Sequence, residues 1–134
     1  MSFTGNLGNS FAGGTLGGLA NALAVWLAGA AGLTHALGVA IAPGLSPAMI
    51  YQRMVWGGIW GVVFMLPLLK GSIFWRGLVF SLGPTAVQLL LVFPHVADKG
   101  LYGLELGTLT PGFVVLFNAV WGWAAAAWLR TSGR

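Results

Sequence analysis

Ala20, Ala24, Ala28, Gly32, Ala36 and Ala40 recur at every fourth position inside one long apolar run. At about 3.6 residues per turn, such a series lays a nearly continuous strip of small side chains along one helix face. In lipid, apolar surface gives helices no hydrophobic reason to associate, so close backbone approach along a strip of this kind drives their packing. The run therefore predicts a membrane helix whose ridge is an assembly surface. Gly57, Gly58 and Gly61 form a second flat patch suited to receive it, with Trp56, Trp60, Trp121 and Trp123 as large knobs toward lipid or partner helices.

Charge explains why the medium must be a bilayer. Only 6% of the 134 residues are charged and 57% are hydrophobic. A soluble domain carries about 25% charged residues, so this chain lacks the polar surface that covers a globule in water. The net charge of +4 is not a nucleic-acid signature. Arg53, Lys70, Arg76, Lys99, Arg130 and Arg134 stand at or near the ends of apolar runs, where such residues set topology. The absence of cysteine excludes disulfides, thiolate catalysis and cysteine-ligated metals together. Residues 1–15 hold no Lys or Arg, so they lack the basic start of a cleavable signal peptide, and the first helix is expected to stay in the mature protein.

Four spans follow from the breaks in the pattern. The first covers 16–41 and ends at Ala42-Pro43-Gly44; it exceeds a hydrocarbon core of about 30 Å and is expected to tilt or bend. Ser46-Pro47 reads as an N-cap followed by proline at the first helical position, opening a span over 47–69. Lys70-Gly71-Ser72 makes a tight connection to a third span over 74–94, kinked at Pro84. Residues 98–107 read as a loop or short surface element, and Thr110-Pro111 opens the fourth span, 111–129. Lys70, Arg76, Arg130 and Arg134 then fall on one side, while Arg53 and Lys99 share the other with both acids, Asp98 and Glu105. The positive-inside rule places the first group, and both termini, in the cytoplasm. The expected fold is all-α: one domain over 1–134, a bundle of four transmembrane helices, multi-pass in a bacterial inner membrane.

Depth along each span exposes a further pattern. His35 and Arg53 lie about 9 Å inside the outer ends of spans one and two, Gln88 about 7 Å and Asn118 about 10 Å inside those of three and four. Each helix thus contributes one polar group to a common outer-leaflet layer, with Tyr51 and Gln52 just above it. His95, Asp98, Lys99, Tyr102 and Glu105 form an outer loop suited to cover it. Polar groups at such depth face a bundle interior or a water-filled cavity. One reading makes them interhelical glue. The sharper reading pairs Arg53 with Asp98 or Glu105 at the mouth of a vestibule, with His35 as its titrating group.

No catalytic motif is present: the chain lacks G-x-S-x-G, H-E-x-x-H and any phosphate-binding glycine loop. His35 and His95 lie on different spans at unmatched depths, so neither haem nor metal is expected. Trp75-Arg76-Gly77-Leu78 at a helix start, Gln88 inside that helix, Phe93-Pro94 at its end and Asn118-Ala119-Val120-Trp121-Gly122-Trp123 on the last helix follow one another in order. From 51 to 130 this order resembles the YagU-like family of small bacterial inner-membrane proteins. The resemblance implies a link to acid tolerance and no defined activity or catalytic residue. The expected function is non-enzymatic: a homo-oligomeric channel or small-solute transporter whose vestibule is the polar layer, or an accessory subunit of a larger respiratory or photosynthetic complex. Its partners are the bilayer and either copies of itself or such a complex, with no nucleic acid and no cofactor.

Overall fold

A computed structural model describes residues 2–96 and 99–132; Asp98 and Arg134 lie outside the described residues. The chain is all-helical, with no strand among the described residues. Helix α1 (Phe3–Ala30) begins where the Ser2 side chain accepts from the Gly5 amide at 3.1 Å. It ends because Gly32 takes a left-handed φ of +80°, which reverses the chain at no cost to a residue without Cβ. A single turn, α2 (Leu33–Ala36), follows, and Gly38 at φ +74° turns the chain again. The first long helix therefore covers 3–30 and not 16–41. The glycine-rich start, which looks weak by propensity, is helical because its glycines are packing surface.

That correction divides the ridge. Ala20, Ala24 and Ala28 lie on α1, Gly32 is its terminator, Ala36 closes α2, and Ala40 is in the following irregular segment. This segment is folded back on the bundle. The Thr34 hydroxyl donates to the Ile41 carbonyl at 2.7 Å, the Ala40 amide donates to Leu106 O at 2.8 Å, and Val39 is buried.

Helix α3 (Pro47–Gly61) starts as its sequence suggests, with Ser46 accepting from the Met49 amide and proline at the first position. It tightens into a 3-10 turn at Val62–Met65 and stops before Pro67, as the residue ahead of a proline disfavours helix. Helix α4 (Ile73–Val87), capped by Ser72, widens into a π-helix at Gln88–Val96. Pro94 has no amide to donate, and its ring crowds the carbonyl four residues back, so the looser winding gives it room. A kinked 3-10 element, Leu101–Leu106, leads to α5 (Thr110–Thr131). Among the described residues, three helical stretches are long and apolar enough to cross a membrane: Phe3–Ala30, Ile73–Val96 and Thr110–Thr131.

Glycine decides how these helices pack. A Cβ on Gly57 would lie 2.6 Å from the Gly14 carbonyl, and one on Gly61 would lie 2.7 Å from the Gly14 Cα. Helices α1 and α3 thus run antiparallel in backbone contact, the α3 patch meeting Gly14 and Gly18 rather than the alanine ridge. Gly17 faces Trp121 on α5, and Gly77 on α4 meets Gly122 on α5. The fourth side, α3 against α4, is filled by large side chains: Trp60 lies over Gly83, and Phe64 meets Phe80 edge-on at 4.8 Å. The start of α1 and the end of α5 lie side by side, joined by Asn9 Nδ2 donating to Ser132 Oγ at 2.8 Å and Trp128 Nε1 donating to Asn9 Oδ1 at 3.0 Å. Two apolar clusters fill the interior, one of Phe64, Phe80, Trp121, Ala125, Ala126 and Leu129, the other of Val25, Val39, Phe113 and Phe117.

Candidate functional site

Between those clusters the structure places a polar belt. On α3, Arg53 Nη1 donates to Asn21 Oδ1 on α1 at 2.7 Å, and Asn21 Nδ2 donates to the Phe117 carbonyl on α5 at 2.8 Å. On the other side of α5, Asn118 Nδ2 donates to Thr85 Oγ1 at 3.1 Å and to Gln88 Oε1 at 3.4 Å. Phe117 and Asn118 are neighbours, so the two networks differ by about one 1.5 Å helical rise and together tie α3, α1, α5 and α4 at one level. One turn further along α5, Trp121 Nε1 is shared between Gly14 O at 3.1 Å and Gly57 O at 3.2 Å. Carbonyls that already serve their own helices accept this extra bond through their second lone pair.

Of the residues singled out by sequence, Arg53, Gln88 and Asn118 are in this belt, and His35 is not. His35 is exposed on α2, outside the long helix, because Gly32 ends α1 before reaching it. Arg53 donates to Asn21 and not to Glu105, which is exposed. His95, Lys99, Tyr51 and Gln52 are also exposed. The outer loop is organised by its backbone: the Lys99 amide donates to Phe93 O at 2.6 Å and the Glu105 amide to Lys99 O at 3.1 Å.

Sequence reasoning missed Asn21, Thr85 and Arg76. A helix over 16–41 puts Asn21 near its inner end, whereas a helix ending at Ala30 brings Asn21 to the level of Arg53. Its signal was its isolation, four residues after Gly17 on a face of small residues. Arg76 reads as an interfacial topology charge, yet it is only 4% exposed. Its Nη2 donates to Phe64 O at 2.7 Å and to Leu66 O at 3.4 Å, and its guanidinium lies 5.3 Å from the Phe64 ring centroid and 5.8 Å from that of Phe80. These carbonyls belong to the end of the 3-10 turn, which leaves acceptors without intrahelical partners. A planar, multiply donating guanidinium caps them while stacking on the aromatic faces.

Comparison with known proteins finds no matching family, no similar curated protein and no similar solved structure.

Proposed function

We propose that the chain is a non-enzymatic multi-pass membrane protein that serves as a packing subunit of a larger membrane assembly. In this reading α3 with its 3-10 turn, residues 47–65, is a fourth crossing, both termini are cytoplasmic, and the membrane is a bacterial inner membrane. Fifteen α-helical and four 3-10 residues reach about 30 Å, enough for one crossing.

The observation that carries the reading is where the polar belt spends its hydrogen bonds. Asn21, Thr85, Gln88, Asn118 and Trp121 bond to one another or to backbone inside one chain, across helices already in glycine contact. Groups engaged in this way act as clamps rather than as the lining of a path. The clamped bundle keeps α4 for the outside. In the α4–π-helix stretch 22% of the most apolar window is buried, against 56% in α5, so α5 is the central strut and α4 the free face. Val79, Leu82, Ala86 and Leu90 form an exposed stripe along it.

The test is native mass spectrometry of the protein released gently from its own membrane. Co-release with unrelated subunits, lost in a Val79→Trp/Leu82→Trp variant that still folds, supports the subunit role. A defined oligomer of this chain alone overturns it. One observation favours that second reading, a homo-oligomeric channel or small-solute transporter: the hydrogen bond of Arg53 goes to a neutral amide. In that case Arg53→Ala alters flux in proteoliposomes while the oligomer stays intact.

A further inference from the structure

At the end of the bundle where α1 and α4 begin, a cavity of about 50 Å³ opens between Asn6, Ser10, Phe64, Met65, Lys70, Arg76 and Leu129. It lies about 18 Å along α5 from Phe117 in the polar belt and borders the first apolar cluster through Phe64 and Leu129. Three features make it more than a packing gap. Two cations line it: Arg76, buried beneath the Phe64 carbonyl, and Lys70, exposed on the loop at its edge. Asn6 Oδ1 is buried there and accepts no hydrogen bond. Of the remaining walls, Phe64, Met65 and Leu129 are apolar and Ser10 is a buried hydroxyl. A cavity this size holds a few waters, or one tetrahedral oxyanion in their place.

We propose that this cavity holds the head group of an anionic phospholipid whose phosphodiester carries a hydroxyl-bearing substituent, as in phosphatidylglycerol. Lys70 meets the phosphate, the fixed charge of Arg76 adds to the attraction, and a head-group hydroxyl donates to Asn6 Oδ1. The chemistry matches on both counts: an anion for the cations and a donor for the orphan acceptor. Basic pockets between transmembrane helices on the cytoplasmic side suit anionic head groups in this way. The inference rests on the membrane reading above and not on the subunit role, because it is tested on the isolated chain.

The experiment measures lipid retained by the purified full chain, by native mass spectrometry, from vesicles holding equal amounts of phosphatidylglycerol, phosphatidylmethanol and phosphatidylcholine with the same acyl chains. Phosphatidylglycerol is expected to exceed phosphatidylcholine by about tenfold, and Lys70→Gln to lower its retention about fivefold. Lys99→Gln, at the far end, is expected to leave retention unchanged. Asn6→Leu is expected to erase the preference for phosphatidylglycerol over phosphatidylmethanol, which has the same phosphodiester charge and no hydroxyl. Equal retention of phosphatidylglycerol and phosphatidylcholine, or no effect of Lys70→Gln, overturns the proposal. Displacement of the lipid by inorganic phosphate overturns it too, since the site would then serve a free anion.

Discussion

At the scale of single residues, the largest burden falls on side chains that bond to backbone across helices. Arg76 holds two carbonyls at the end of the 3-10 turn and stacks on two rings. Hydrogen bonds to charged groups are worth about 1.5–3 kcal/mol, and their removal leaves buried acceptors behind. Arg76→Ala is therefore expected to cost about 2–3 kcal/mol in reversible unfolding in mixed micelles. Arg76→Lys is expected to recover little of that, because an ammonium lacks the planar fork that reaches both carbonyls and stacks. Asn118 is a gentler case. Its partners are side chains on a neighbouring helix, and interhelical bonds in membranes average about 0.6 kcal/mol with a ceiling near 1.7. Asn118→Ala should fall in that range by the same measurement. A loss well beyond it would mean that Asn118 also orders the π-helix that starts at Gln88.

At the scale of elements, glycines separate into those that let backbones touch and those that shape the chain. Gly14 belongs to the first kind, since its Cβ would meet the Gly61 Cα at 2.7 Å. Backbone does not yield as a side chain does, so Gly14→Ala must push α1 away from α3 and is expected to cost about 1–3 kcal/mol. Gly8, on the same helix, has nothing within 4 Å of its missing Cβ. Gly8→Ala is expected to stabilise the helix by up to about 1 kcal/mol, as alanine loses less entropy there. Opposite signs from these two substitutions in one unfolding assay check the packing scheme. Gly32 is of the second kind: its Cβ would meet nothing, yet its φ is +80°. Gly32→Ala should cost about 1–2 kcal/mol through the left-handed backbone alone. A neutral result would mean that α1 continues past residue 32 in the membrane, as the alanine ridge suggests when read by itself.

The ridge shows why part of the packing was not legible beforehand. Period-four spacing is real in the sequence, but it cannot reveal that Gly32 will leave the helical region. Of its members, Ala24 and Ala28 line an open apolar groove with Leu116 and Val120 instead of meeting α3. The glycine pairs at 13–14 and 17–18 make the contact in their place, facing Trp128 and Trp121 on one side and α3 on the other. Period-four logic was sound for the face and wrong for the register. The starts of α3 and α5 fared better because their signals, Ser-Pro and Thr-Pro, are local and act through fixed φ and a missing amide; the end of α3 did not, since the helical stretch stops at Met65 and not at 69.

At the scale of the whole molecule, the start of α1 lies beside the end of α5, and the proposed four crossings agree with that. The proposed topology puts residues 70 and 132 on one side and 99 on the other. The chain has no cysteine, so single replacements Lys70→Cys, Ser132→Cys and Lys99→Cys can each be read without background. A membrane-impermeant maleimide is expected to label only Lys99→Cys in intact cells, and the other two in inverted vesicles. The inverse pattern, with Lys70→Cys and Ser132→Cys labelled in intact cells and Lys99→Cys protected, would overturn the proposed orientation; with the amino terminus cytoplasmic it would remove α3 as a crossing and, with it, the proposed position of the lipid cavity. The polar belt also has a meaning only at this scale. Arg53, Gln88 and Asn118 were recognisable one by one from their depth, but Asn21 and Thr85 join them only through the approach of four helices.

Composition and charge placement alone determined the solvent, the helical class and the ends of most elements, because each follows from one residue's hydration, one amide or one φ. Which glycines touch, where α1 stops, that Arg76 turns inward and that two hydrogen-bonded networks meet on α5 were decided by tertiary structure. These depend on the distance between backbones that are far apart in sequence, and local propensity carries no information about that distance.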